Sequence, residues 1–242
     1  MPAFFHLLLD QTSIIILFMV CPYCQQKDVN NLNEMFNAER AQRNAREYLA
    51  HGLDRRAQKL AALVTTLAGV PEQQPLRLLD VGCGAGGLHH ELLRQGIVQQ
   101  ATGVDASAAF IAAARENAGR LRLTDAVSYF QQDFAQNPGV FEPADVVVMD
   151  RVICCYPYLQ QLLGAAAARA RRLLVISFPF DDWWVRWPFR LLDAALTLVG
   201  SGYHPFLHPL PDVLHVAAQH GLKPISQDRH RIWRIMAFAR QA

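Results

Sequence analysis

An apolar run, Leu78-Leu79-Asp80-Val81, enters a turn made of Gly82-Cys83-Gly84-Ala85-Gly86-Gly87 and then resumes at helical spacing. Glycine at such a turn lets a ligand approach the backbone, and the amides that open the following helix attract a negative group. The spacing Gly82-x-Gly84-x-x-Gly87, with Asp105 closing the next apolar run, suits an adenosine-containing cofactor, nicotinamide dinucleotides included. Three features narrow that choice. Asp80 places an anion at the end of the first run, where it would repel a pyrophosphate but suit a ligand carrying an ammonium group. Gln131-Gln132-Asp133-Phe134 offers a carboxylate that can accept from an exocyclic amine, beside a ring that can cover an adenine. The last two apolar runs are so closely spaced that they must pair antiparallel, which a plain dinucleotide fold does not predict.

Other reactive side chains lack such context. Cys21-Pro22-Tyr23-Cys24 matches a redox dithiol, but a helix-rich stretch follows where that reading needs a thioredoxin-like domain. As half of a zinc site it needs a second pair, and Cys154-Cys155 are adjacent where a chelating pair is spaced. No metal is expected. Five cysteines without a disulfide framework fit a reducing cytoplasm.

The elements that must position these residues are short apolar runs alternating with helical segments, the pattern of an α/β parallel sheet. Strands are expected at Arg77–Val81, 101–104, 127–130, 145–149 and 173–178, with helices at 87–95, 107–118 and 159–170 between them. A helix at 211–220 and strands at 224–229 and 232–240 complete a doubly wound, mostly parallel seven-stranded sheet with a C-terminal antiparallel strand pair. Ahead of it, helices at 34–50 and from the N-cap Asp54 to Leu67 form an N-terminal helical extension. The organisation expected is a leader at 1–33, a helical pair at 34–75 and the main domain at 76–242, with an aromatic-rich insertion at 179–210.

The leader is apolar but has no Lys or Arg before Lys27, and its unbroken run is only Ile14 to Val20. It reads neither as a signal peptide nor as a membrane span, and translation from Met19 or Met35 would explain it as well. With 23 basic and 21 acidic residues and a net charge of +2, the chain does not look like a nucleic-acid binder that relies on phosphate contacts. Its 52% hydrophobic content excludes disorder and supplies one substantial core.

These motifs together resemble the class I S-adenosylmethionine-dependent methyltransferases. The likeness runs over about residues 76–240 and is carried by Asp80-x-Gly82-x-Gly84-x-Gly86, Gly103-Val104-Asp105-Ala106-Ser107 and Gln132-Asp133-Phe134. It implies S-adenosyl-L-methionine as cofactor, with Gly82, Cys83, Gly84 and Gly86 around the methionine part and Asp80 near its amino group. Asp105 with Ala106 would take the ribose, and Asp133 with Phe134 the adenine. The phrase from Asp150 to Pro157, with Phe36, Ala45 and Tyr48 of the first helix, looks most like the branch containing magnesium-protoporphyrin O-methyltransferase.

Ligands of open α/β sheets bind beyond the carboxyl ends of the strands, so Asp150, Arg151 and Tyr156 would lie near the methyl group. The acceptor implied is a small, aromatic or apolar molecule methylated at oxygen. A hydroxyl acceptor would call on Tyr156, His204 or His208 as base, although both histidines also read as structural; a carboxylate acceptor would need none. The insertion, with Trp183, Trp184, Trp187, Phe189 and Leu191 to Val199, has three readings: an aromatic cap over the acceptor, a core helix, or an amphipathic helix on a membrane surface. A nicotinamide-dependent oxidoreductase and a non-catalytic cofactor-binding relative remain the alternatives.

Overall fold

A computed structural model describes residues 32–69 and 75–241. The leader and the Cys21/Cys24 pair lie outside the described residues. The strands are β1 (Arg77–Val81), β2 (Gln100–Asp105), β3 (Val127–Gln131), β4 (Ala144–Asp150), β5 (Ala170–Pro179), β6 (Leu222–His230) and β7 (Trp233–Arg240). They form one sheet in the order β3-β2-β1-β4-β5-β7-β6. The first five are parallel, and β7 runs antiparallel to both β5 and β6. The expected doubly wound sheet and antiparallel pair are therefore present, with β2, β4 and β5 longer than their apolar runs alone suggest.

The helices are α1 (Leu32–Met35), α2 (Ala38–His51), α3 (Arg55–Ala68), α4 (Gly87–Arg94), α5 (Ala108–Leu121), α6 (Leu159–Arg169), α7 (Trp183–Leu198) and α8 (Leu210–Gln219). The parallel strands are apolar at successive positions because both sheet faces are covered. Along β4, Val146 and Val148 pack with Leu60 and Val64 of α3 and Leu92 of α4. Val147 and Met149 pack on the other face with Leu163 of α6 and Val213 of α8.

Two expectations need correction. The single helix over 34–50 is broken at Phe36-Asn37. The Asn37 side chain accepts from the Arg40 amide at 3.1 Å and starts α2 afresh; an N-cap needs an extended backbone, so it cannot sit inside a continuing helix. The core-helix reading of the insertion also fails. Only Val185 of α7 is buried, because α7 is laid over the strand ends rather than between layers.

The sheet order reverses at β1, with β2 on one side and β4 on the other. The crevice beyond this switch point is where an open α/β sheet takes its ligand.

Candidate active site

At that crevice opens a cavity of about 730 Å³, bounded by the ends of β1, β2, β3 and β4, by α2 and α3, and by one side of α7. The glycine turn forms its floor. Gly82 has φ +67°, and a Cβ there would lie 2.5 Å from Val152 Cγ2. Gly86 has φ +86°, and a Cβ there would run into the His90 ring. No other residue type fits either position. Behind the turn, α4 begins with its first-turn amides free of intrahelical partners.

Asp80 is buried at the end of β1, and its Oδ2 accepts from His89 Nδ1 at 2.8 Å. His89 Nε2 lies 2.9 Å from the Tyr129 hydroxyl, and His90 Nε2 lies 2.5 Å from the same oxygen. A carboxylate only accepts, so His89 Nδ1–H donates to it and Nε2 accepts from Tyr129 O–H. His90 Nε2–H then donates to the Tyr129 oxygen, and His90 Nδ1 is left as a buried lone pair without a partner. Every donor in this chain points toward Asp80. Burial, with His89 adding to it, pulls His90 down to about 2, and burial pushes Tyr129 up.

That depression has a sign. Above the ordinary histidine value of 6.5, neither folded nor unfolded His90 is protonated and the group contributes nothing. As pH falls below 6.5 the unfolded chain takes up a proton that the folded chain refuses, so stability drops down to about pH 2. Urea midpoints measured at pH 7 and pH 5 are expected to diverge in the parent and to diverge less in His90→Asn; equal slopes would contradict the buried neutral ring.

Asp105 closes β2. Its Oδ2 accepts from Gly84 N at 2.9 Å and its Oδ1 from Ser107 N at 2.8 Å. Each oxygen keeps a lone pair, so a vicinal diol can be held by both. Burial pushes this carboxyl up, while those two amides oppose it. Asp133 accepts from Ala135 N at 3.0 Å through Oδ1, and from Gln136 Nε2 and Tyr156 O–H, both at 3.0 Å, through Oδ2. Ala106 and Phe134 also line the cavity, and Phe134 packs its ring at 5.4 Å from Phe141. Cys83 lines the cavity as a buried thiol pushed well up by burial, with Asp80 and Asp105 adding to it.

The residues expected near the reacting group divide. Asp150 and Arg151 line the cavity. Tyr156 reaches it too, but its hydroxyl is committed to Asp133, and burial with the Asp133 charge pushes its pKa up, so it stays a proton donor and joins the ends of β3 and β4. His204 and His208 do not line the cavity. His204 Nδ1 is 2.5 Å from Asp193 Oδ1 of α7. His208 Nε2 donates to the carbonyls of Ile153 and Tyr156, both at 2.9 Å. Both rings pin the loop between α7 and α8, and neither is placed to act as a base.

Sequence reasoning missed Arg56. Its guanidinium is buried, pairs with Asp150 and with Asp54 Oδ2 at 2.9 Å, and borders the cavity. Burial first, then the Arg151 charge, pulls it down to about 10. Ser177 Oγ donates to the same Asp150 oxygen at 2.5 Å. One signal was available: Arg56 is in phase with Leu60 and Val64 on the apolar stripe of α3, where an unpaired arginine could not be buried. Phe36, Arg40 and Tyr203 complete the outer wall, and no three-residue metal-ligand cluster occurs among the described residues.

Residues 79–174 match the family model described as a methyltransferase domain. Fold and match define the class: residues 79–174 carry a methyltransferase domain, set in the fold shared with S-adenosylmethionine-dependent methyltransferases. No curated protein sequence matches it. Its fold is similar to that of magnesium protoporphyrin IX methyltransferase (ChlM) from Synechocystis with bound S-adenosylhomocysteine, at TM-score 0.66 and 19% identity, covering 88% of this chain and 100% of the other. It is also similar to an O-methyltransferase family protein from Burkholderia thailandensis, at TM-score 0.65 and 19% identity, covering 87% and 63%. A third similar structure is geranyl diphosphate C-methyltransferase from Streptomyces coelicolor, at TM-score 0.58 and 16% identity, covering 76% and 77%.

Proposed function

We propose that this enzyme methylates a carboxylate oxygen of a small aromatic or apolar acid. The observation that carries the proposal is the make-up of the outer half of the cavity. Phe36, Phe189, Leu192, Tyr203 and Pro205 supply apolar and aromatic wall, while Arg40, Arg43, Arg56 and Arg151 border the same space. No histidine is among its described lining residues. Guanidinium groups orient a carboxylate, and a carboxylate has no proton to lose, so no base is required.

The residues present fit the cofactor. The lone pairs left on Asp105 suit ribose hydroxyls, Asp133 suits an adenine amine, Asp80 suits an ammonium group, and the first amides of α4 suit a carboxylate. The cofactor supplies an electrophilic methyl group on a sulfonium whose leaving group is neutral. The chain's part is positioning and exclusion of water. Arg56 is held by Asp54 and Asp150, so its guanidinium is oriented before an acceptor arrives. Arg151 N donates to Ser177 Oγ at 3.0 Å, which fixes where that residue leaves β4. The free thiols of Cys83, Cys154 and Cys155 support a reducing, cytoplasmic setting.

A panel pairing aromatic carboxylic acids with phenols of the same skeleton tests this, using S-adenosylhomocysteine release and product mass. Methyl esters are expected, with a rate that varies little between pH 6 and 9 and that His204→Asn or His208→Asn leaves within about threefold, since neither ring reaches the acceptor. Methylation of the phenols alone, rising with pH, would overturn the reading.

A further inference from the structure

We infer that the outward face of α7 docks on a bilayer surface carrying anionic lipid, with the cavity mouth turned toward that surface. The helix has two unlike sides. Val185, Phe189, Leu192 and Leu196 fall on one side at 3.6 residues per turn, and Phe189 and Leu192 line the cavity. On the opposite side Trp183 is 74% exposed, Trp187 59%, Leu191 67% and Leu198 88%.

These four side chains form one continuous arc with Ala194 and Ala195, covering about a third of the circumference without a charged group. A soluble surface scatters its exposed apolar residues singly; a contiguous set this large marks a contact surface. It is also not a face awaiting the protein's own core, since the helices that cover the sheet are already in place on both sides.

Charge selects the occupant. Arg186 and Arg190 lie together along one edge of the apolar arc. Arg186 has only Asp181, at 4.0 Å, and Arg190 makes no ion pair among the described residues and lies 6.0 Å from the centre of the Trp187 ring. The acid within the helix, Asp193, is turned to the inner side and held by His204. The apolar arc is thus tryptophan and aliphatic with two arginines along one edge; the acids nearby are the exposed cap Asp182, ahead of Trp183, and Asp193, which His204 holds. That composition suits a helix lying in the plane of a membrane interface, with rings at headgroup depth and guanidinium groups on lipid phosphates. No helix among the described residues is long and apolar enough to cross a membrane, so the attachment is peripheral. One side of α7 borders the cavity and the other the lipid, which would let an apolar acceptor enter without crossing water.

The test uses the full chain and sedimentation with vesicles of phosphatidylcholine alone or mixed with phosphatidylglycerol. At least tenfold stronger partitioning to the mixed vesicles is expected, with a blue shift of tryptophan emission. The triple variant W183S/W187S/L191S is expected to lose tenfold or more, and R186Q/R190Q to lose the preference for anionic lipid. Both should keep the parent's affinity for S-adenosylhomocysteine, since none of these residues lines the cavity. Failure of the full chain to bind either vesicle overturns the inference, as does equal binding by parent and triple variant. Two other results would assign the face elsewhere and overturn it as well: vesicle binding only after removal of residues 1–31, or a parent dimer that the triple variant dissolves. None of these outcomes depends on which acceptor is methylated.

Discussion

Asp105→Ala is expected to weaken S-adenosylhomocysteine binding by a hundredfold or more in titration calorimetry. Two effects act together. The variant loses the lone pairs proposed to hold the two ribose hydroxyls, at about 1.5–3 kcal/mol for each hydrogen bond to a charged acceptor. It also loses the tether that draws Gly84 N and Ser107 N to one carboxylate, so the turn beneath the ligand is no longer fixed in advance. Asp105→Asn keeps one acceptor oxygen and should fall between the two. A thermal midpoint near the parent's would show that the loss is local, and an unchanged dissociation constant for Asp105→Ala would remove Asp105 from the cofactor site.

Arg56→Met should have the largest effect on stability. Arg56 and Asp150 have side chains only 4% and 17% exposed, and deleting the cation strands a carboxylate in a place where water reaches it poorly. Breaking a buried pair from one side costs about 3–5 kcal/mol. For a chain of this size that corresponds to a fall of roughly 10 °C in thermal midpoint. Adding Asp150→Asn to Arg56→Met is expected to restore part of the loss, because the stranded charge, more than the missing contact, sets the cost. If the double variant is no better than the single one, the penalty comes from lost packing against Trp233, whose ring centre lies 5.8 Å from the guanidinium. Arg56→Met should also raise the acceptor's KM more than it lowers kcat, if the arginine binds the acceptor before the methyl moves.

The legible parts of this protein share a property: each depends on neighbours in the chain. The strands of the parallel sheet show as apolar runs because burial on both faces removes the polar alternation that would otherwise mark them. The glycine turn shows because tight backbone geometry and close approach demand glycine whatever the rest of the fold does. Asp80, Asp105 and Asp133 show because each lies at or just past the end of a strand, and in an open α/β sheet the strand ends border the ligand crevice. The sheet followed from these local rules, and the class of protein and its cofactor from the family resemblance that the same motifs carry.

What the local rules missed is equally consistent. Nothing near Arg56 in the chain names Asp150 as its partner, 94 residues away. Tyr156 looked free to act as a base, and the fold spends its hydroxyl on Asp133, in the loop after β3. His204 and His208 sit in the right loop, but whether a ring faces a cavity or a backbone carbonyl depends on how that loop crosses the strand ends. The aromatic insertion satisfied three patterns at once, since a cap, a core helix and a surface helix all need the same apolar periodicity; only its packing removed the core helix.

By itself, then, the amino-acid sequence determined the sheet, the cofactor turn and the acids at the strand ends, because those depend on backbone geometry and hydrophobic burial over a few residues. The tertiary structure alone decided which polar side chains are already paired and which face of α7 meets solvent. Pairing and exposure are set by segments far apart in the chain, and they turn a cavity with several candidate bases into one bordered by arginines.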